Sequence, residues 1–388
     1  MSHLIPTYAR QPVSFVRGEG SYLYDDNGVR YLDALTGIAV CGLGHCHPAI
    51  TDTIKEQADT LIHTSNLFGV PWQEKAADIL CQKAGMEQVF FGNSGAEANE
   101  CALKLARLYA HKQGKTRPKV IVMTNAFHGR TLLTVTATAN PKAKEGFYTL
   151  EDDFIRVPFG DADAVSALSD DKDICAVLVE PIQGEGGLHT PPDGYLEALS
   201  DICKQNDWLF MLDEVQTGNG RTGKYFAYQH TSIRPDVLTT AKGLGNGFPV
   251  GACMVAGRAV GLFGYGSHGS TYGGTPLGSR IVCAVYGELT DGVLDNAKKQ
   301  GNVIKDAISE QFTHQGVGLR GLGMMIGIVL PDGVDCSQAV DIARNEHQLI
   351  INVTGGNVIR LLPALNLSDD DTALLIDKLT ALLNTLLS

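Results

Sequence analysis

No extended run of Lys and Arg occurs anywhere in the chain, and the formal net charge at pH 7 is -12. Nucleic-acid binding calls for a basic face, so that class is excluded, and the acidic balance mostly reports solubility. No apolar run approaches the ~18 residues of a membrane span. The segment Met1 to Arg10 has no apolar core and contains Pro6, so no secretory signal is expected there. A Gly-x-Gly-x-x-Gly turn after a strand is also missing, which argues against a nicotinamide dehydrogenase. The nine cysteines are an odd count. Several (Cys101, Cys175, Cys203, Cys253, Cys283) stand inside apolar stretches and read as reduced core residues of a cytosolic protein. Cys41, His45, Cys46 and His47 crowd together, but their spacing matches no standard zinc pair, and no metal is expected. There is no internal repeat and no low-complexity linker.

What is present is the composition of a globular protein, with 44% hydrophobic and 19% charged residues over 388 positions. That length suggests two domains. The 44 glycines gather in short clusters such as Gly243-Leu244-Gly245-Asn246-Gly247, which suit tight turns and close backbone approach to a ligand. Near the start, Ser21–Tyr24 and Val29–Leu32 flank Asn27-Gly28 and predict a hairpin. From Pro48 onward, helices alternate with short apolar strands at Gln88–Phe91, Lys119–Met123, Ile174–Val179, Trp208–Leu212 and Val250–Val255. That alternation predicts an α/β fold with a mainly parallel sheet covered by helices. After Gly278 a long helix is expected over Arg280–Phe312, then strands at Gly323–Leu330, Leu349–Val353 and Val358–Leu362. A last helix begins near Ser368, with Asp369, Asp370 and Asp371 at its positive end and Leu375, Leu379, Leu382 and Leu386 in its buried stripe. Residues 51–279 are expected to form a large domain. Residues 1–50 and 280–388 are expected to form a smaller α+β domain.

Three segments carry chemistry. In Phe91-Gly92-Asn93-Ser94-Gly95-Ala96-Glu97-Ala98-Asn99 a strand ends and a helix starts. Free amides at the helix start, the Ser94 hydroxyl and the close approach allowed by Gly95 make a phosphate cradle. A plain capping box of Ser94 with Glu97 is the alternative. In Trp208–Glu214, five apolar residues end in Asp213 and Glu214, at the strand edge where open α/β sheets bind ligands. A buried carboxylate there needs a positive partner, and a protonated pyridine nitrogen is one; the alternative is a strand-end Asp capping the next turn. Lys242 follows the apolar run Val237-Leu238-Thr239-Thr240-Ala241 and precedes the glycine-rich loop. A partly enclosed Lys with a lowered pKa can form imines, whereas an ordinary surface Lys does not.

Cradle, pyridinium partner and imine-forming Lys in that order fit one site. With Gly44-His45-Cys46-His47-Pro48, Phe127-His128-Gly129-Arg130, Glu180-Pro181-Ile182-Gln183-Gly184-Glu185-Gly186, Asp213-Glu214-Val215-Gln216-Thr217-Gly218 and His268-Gly269-Ser270-Thr271-Tyr272-Gly273-Gly274, the chain resembles, end to end, the class III (ornithine-type) aminotransferases of fold-type I. The resemblance implies pyridoxal 5'-phosphate held as a Schiff base on Lys242, which also shuttles the proton. It implies that Asp213 pairs with the pyridine nitrogen, Gln216 reaches the phenolic oxygen, and Phe127 and Val215 pack on the two ring faces. Ser94, Gly95, Ala96 and His128 belong to the same cofactor site. Thr271 is implied to reach the phosphate of the other subunit, so the active unit is a homodimer with shared sites.

The same resemblance assigns Arg130, Arg360, Glu185, Ser270 and Ile38 to substrate. A carboxylate suits a bidentate guanidinium, and Arg360 stands in the apolar strand Val358–Leu362, where it needs a partner such as Glu185. Ile38, in Leu35–Val40, occupies a place where a tyrosine binds free ornithine's amino group in ornithine-specific relatives. An apolar residue there fits an acylated nitrogen. N2-acetylornithine and 2-oxoglutarate are therefore the expected substrates. Ornithine, succinylornithine, succinyldiaminopimelate and 4-aminobutyrate are the alternatives inside the family. A non-catalytic phosphate-ligand-binding protein is the alternative outside it, and it would need none of Lys242, Asp213 and Gln216.

Overall fold

The computed structural model describes residues 3–388. The chain opens with three antiparallel strands, β1 (Phe15–Glu19), β2 (Tyr22–Asp25) and β3 (Arg30–Asp33). The Asn27-Gly28 turn between β2 and β3 is the expected one. Asp25 Oδ1 accepts the amides of Asn27 (2.9 Å) and Val29 (2.8 Å), and Gly28 takes the positive φ of 81° that the turn requires.

Seven strands then build the main sheet: β4 (Gln88–Gly92), β5 (Lys119–Met123), β6 (Phe154–Val157), β7 (Ile174–Val179), β8 (Leu209–Asp213), β9 (Val237–Thr240) and β10 (Gly251–Val255). Their order is β4-β10-β9-β8-β7-β5-β6, and only β10 runs antiparallel to its neighbours. Strand residues alternate between two cores. Ile121, Met123, Val177, Phe210 and Leu212 feed one, while Val120, Val122, Leu178 and Met211 feed the other. A strand buried on both faces must be apolar throughout, which is why these runs were conspicuous.

The C-terminal part adds β11 (Gly318–Arg320), β12 (Ile326–Val329), β13 (Leu349–Ile350), β14 (Asn352–Thr354) and β15 (Val358–Leu361). β11, β12, β15 and β14 form one antiparallel sheet, whereas β13 pairs in parallel with β3. The single strand expected over 349–353 is thus divided at Ile351 between two sheets. The strand expected over 323–330 shortens, because the turn at residues 321–325 brings Met325 N to Leu322 O. The long helix expected over 280–312 is two helices, Pro276–Glu288 and Asp291–Phe312. Leu289 leaves helical backbone (ψ 64°) and turns into the core, and Thr290 is extended. Ser368 caps the last helix by accepting the Asp371 amide at 3.0 Å, and Leu375, Leu379 and Leu382 are fully buried, while Leu386, in the last turn, is only half-buried. All nine cysteines are free thiols. Among the described residues no helix is long and apolar enough to cross a membrane, and no cluster could hold a metal ion.

Candidate active site

The strands β4, β5, β7, β8 and β9 all end on one edge of the sheet, and a cavity of about 390 Å³ opens there. Ligands of open α/β sheets sit at this edge because loops leaving the strand ends can converge on it.

β4 runs into Ser94, which caps the helix Gly95–Lys112. Its Oγ accepts the Glu97 amide at 3.2 Å, and Glu97 reaches back to the Asn93 amide. The capping box is thus formed, and it leaves the amides of Gly95 and Ala96 free of it. The amides of Gly95 and Ala96 lie in the first turn, where no intrahelical carbonyl can take them, and both residues line the cavity. Gly95 is required by packing, since a Cβ there would stand 2.7 Å from a Val215 methyl.

Asp213 is the last residue of β8 and is buried. Its Oδ2 lies 2.7 Å from His128 Nδ1 and accepts from Asn99 Nδ2 at 2.7 Å, while Oδ1 accepts the Val215 amide at 3.0 Å. Asn99 also donates to the His128 carbonyl at 2.8 Å and accepts from Thr239 Oγ1 at 2.7 Å. This network fixes the direction of the carboxylate, which also lines the cavity.

Lys242 follows β9 with a left-handed φ of 48°, a costly conformation for a side-chain-bearing residue and one that gathers at functional sites. Asn219 holds the preceding segment by donating to Thr240 Oγ1 and the Ala241 carbonyl, both at 2.9 Å. Burial lowers the Lys242 pKa, and repulsion from Arg360 adds to the effect against the pull of Glu185 and Asp213. The amine is thus moved toward its neutral, nucleophilic form.

Arg360, on β15, is fully buried. It donates to Glu185 Oε1 at 2.7 Å and Oε2 at 3.3 Å, to Gln216 Oε1 at 3.3 Å and to Asn352 Oδ1 at 3.1 Å. Burial works against the Glu185 charge, but Arg360 prevails and holds that carboxyl below its ordinary range. Glu185 and Gln216 line the cavity and Arg360 lies behind them. Arg130 is exposed at the cavity wall, its guanidinium 4.7 Å from the centre of the Phe127 ring.

Three expected residues stand off the cavity. Ile38 belongs to a left-handed turn (φ 66°) and packs in a small cluster with Leu188 and Met325, leaving Val40 as that segment's cavity residue. Ser270 accepts from Asn93 Nδ2 at 3.1 Å, beside the cradle. Thr271 is exposed, in a patch with His63 and Thr64. Literal Gly-x-Gly-x-x-Gly runs do occur at Gly218–Gly223, Gly264–Gly269 and Gly316–Gly321, but none opens a helix.

Two residues of the site had no role in the sequence reading. Asn99 lies on the buried face of an amphipathic helix, where apolar periodicity gives a polar residue no signal. Glu180, just past β7, accepts the amides of Phe127 (3.0 Å) and Gly184 (3.3 Å) and so joins two cavity loops. Its signal was a carboxylate ending an apolar run, the same signal that marked Asp213.

Comparison with known proteins adds the family. The model of the aminotransferase class-III family matches residues 6–383. The acetylornithine aminotransferase of Nitrosomonas europaea is 49% identical over 387 residues, covering 99% of this chain and 98% of the relative. Acetylornithine aminotransferase 1 of Bordetella pertussis is 44% identical over 393 residues, covering 100% and 99%. The crystal structure of ornithine aminotransferase from Toxoplasma gondii superposes with a TM-score of 0.94 at 30% identity, over 99% of this chain and 94% of that one. That of acetylornithine aminotransferase from Elizabethkingia anophelis gives 0.86 at 32% identity, over 99% and 96%.

Proposed function

The chain belongs to the class-III aminotransferases, which use pyridoxal phosphate, and on that premise we propose that it moves the terminal amino group of N2-acetyl-L-ornithine to 2-oxoglutarate. The products are N-acetyl-L-glutamate 5-semialdehyde and L-glutamate. The observation that carries the reading is that Lys242, Asp213 and Glu185 line one cavity, with Arg360 bonded to Glu185 behind its wall. The relatives named for acetylornithine, 41–49% identical, support the donor. So does the apolar stretch of wall at Val40, Phe248, Pro249 and Val250, which suits an acylated nitrogen without charge.

The residues present fit the cofactor. Asp213 is buried and oriented by Asn99, His128 and the Val215 amide, with no Lys or Arg among its hydrogen-bond partners, which suits a protonated ring nitrogen. The first-turn amides of Gly95 and Ala96, with Ser94, suit the phosphate. Phe127 and Val215 would flank the ring, and Gln216 would meet its phenolic oxygen. When bound, the cofactor supplies an electron sink for the carbon next to the transferred nitrogen. Lys242 Nζ would hold the cofactor covalently; once the substrate's amine has taken its place, the freed amine would carry a proton between the two carbons that flank the transferred nitrogen. Asp213 would pair with the ring nitrogen and favour its protonated form. Arg130 holds the carboxylate far from the reacting carbon. Arg360 takes the α-carboxylate of glutamate or 2-oxoglutarate, and Glu185 covers Arg360 when acetylornithine is bound.

Thr271, exposed and off its own chain's cavity, is assigned to the phosphate of a second subunit, which makes the active unit a homodimer. Nine unpaired cysteines support a cytoplasmic enzyme. The test is an amine-donor screen with 2-oxoglutarate, reading glutamate formed. N2-acetylornithine should be the best donor. Faster turnover of free ornithine or 4-aminobutyrate would overturn the assignment.

A further inference from the structure

Behind the loop that carries Glu185 lies a second cleft of about 490 Å³. The loop closes on itself through paired backbone bonds, Gln183 N to His189 O at 3.0 Å and His189 N to Gln183 O at 3.2 Å. Glu185, near its tip, lines the catalytic cavity, while His189 and Thr190, at its root, line the second cleft. The facing wall consists of Lys305, Asp306 and Ser309 from the helix Asp291–Phe312 and of Arg320 from β11.

The two fixed cations of this cleft bond to main-chain carbonyls. Arg320 Nη1 donates to Gly187 O at 2.9 Å, and Lys305 Nζ donates to Gly321 O at 3.2 Å. No carboxylate among the described residues stands within ion-pair distance of either, the exposed Asp306 at the rim included. A guanidinium has five N–H groups and an ammonium three, so one carbonyl bond leaves donor capacity on each. Charged donors left to a neutral carbonyl bind a carboxylate more strongly when one is offered. The cleft volume suits a molecule of a few carbons.

The same contacts pin the gate loop. Arg320 holds Gly187 O, and Thr354 Oγ1 donates to Glu185 O. Gly355 packs against Gly187 so closely that a Cβ on it would stand 2.7 Å from the Gly187 Cα. We infer that this cleft binds a small di- or tricarboxylate through Arg320 and Lys305, and that the anion draws Arg320 off the Gly187 carbonyl and so loosens the loop that carries Glu185. The coupling rests on the gate described under the proposed function, whereas the binding does not.

Citrate is the probe. Calorimetric titration of the holoenzyme should find a saturable site that Arg320→Gln and Lys305→Gln each weaken about tenfold or more and Arg130→Ala leaves unchanged. Absence of binding, binding indifferent to both cleft variants, or binding lost in Arg130→Ala overturns the site. Saturating citrate should also raise the rate of the 2-oxoglutarate half-reaction relative to the acetylornithine half-reaction, and Lys305→Gln should abolish that change. Citrate bound with the ratio unmoved overturns the coupling. Failure of the gate itself is read separately, as equal losses in both half-reactions for Arg360→Ala, with the citrate titration intact.

Discussion

The Arg360 guanidinium is wholly enclosed, yet the side chain of Glu185, bound to it at 2.7 Å, is 33% exposed along the cavity wall. The pair is lopsided: the carboxylate can leave by rotating into the cavity, and the guanidinium cannot move without disturbing β15. Removing one partner of a buried pair strands the other at a cost of about 3–5 kcal/mol, less where the stranded group is partly solvated. An incoming α-carboxylate would replace Glu185 without that cost. Arg360→Ala should therefore slow the 2-oxoglutarate half-reaction about tenfold to hundredfold, the worth of a charged hydrogen bond, and spare the acetylornithine half-reaction. Glu185→Gln should do the reverse. Single-turnover rates of each half decide the matter.

Lys242 combines a lowered pKa with strained backbone at the end of β9. Borohydride treatment of the holoenzyme should fix the cofactor to the peptide containing Lys242, and label on another Lys would sink the assignment. Lys242→Ala should still take up cofactor through the turn at Ser94–Ala96 but lose turnover by ~10³-fold or more, since one amine serves both attachment and proton transfer.

Lys242 and Asp213 were legible because each stands where an apolar strand stops and a small-residue loop begins, a local pattern. The Glu185–Arg360 contact spans 175 residues of sequence, and no local spacing encodes it; only the resemblance suggested it. Asn99 carries no sequence signal because apolar periodicity ignores a polar residue on the buried face of an amphipathic helix, although it supports Asp213. The break at Leu289 was illegible for the opposite reason: a buried Leu continues the helical pattern while its backbone leaves it. Likewise Leu349–Thr354 is all strand-compatible, so composition could not say that the run serves two sheets.

Burial pushes the Glu180 carboxyl from 4.5 up to about 7, with His128 opposing and Asp213 reinforcing the shift. The native state then keeps a proton that the unfolded chain releases in that interval. The stability contributed is fully present below about pH 4.5 and lost as pH rises through 7. Glu180→Gln keeps an acceptor for the Phe127 amide and removes the titration. The variant should exceed the wild type by about 1–3 kcal/mol at pH 8, with the margin shrinking toward pH 5. Urea midpoints from pH 5 to 8 would show it, and an unchanged pH slope would refute it.

Gly251, the first residue of β10, lies against the backbone of the phosphate turn. A Cβ there would stand 2.3 Å from Ser94 O and 2.7 Å from Ser94 C. Backbone cannot yield as a flexible side chain does, so Gly251→Ala should displace the turn, at an overpacking cost of about 1–3 kcal/mol. Cofactor affinity should fall several-fold in an absorbance titration. Gly287→Ala, exposed in a helix with nothing within 4 Å of its Cβ position, is the control and should bind normally.

Thr271 offers the sharpest test of the shared site. It is exposed and absent from the wall of its own chain's cavity, while its neighbour Ser270 bonds to Asn93 beside the turn that suits the phosphate. If Thr271 serves a partner's phosphate, Thr271→Ala homodimers should bind cofactor weakly, and Lys242→Ala homodimers should be inactive. In a mixed dimer the Thr271→Ala chain keeps its Lys242 and receives an intact Thr271 from the Lys242→Ala chain. That site is whole, and the other site carries both defects. Mixing the two variants under subunit exchange should therefore restore turnover at limiting cofactor beyond the sum of the separate proteins. If Thr271 instead serves its own chain, each functional Lys242 stays beside its own defect, and mixing restores nothing.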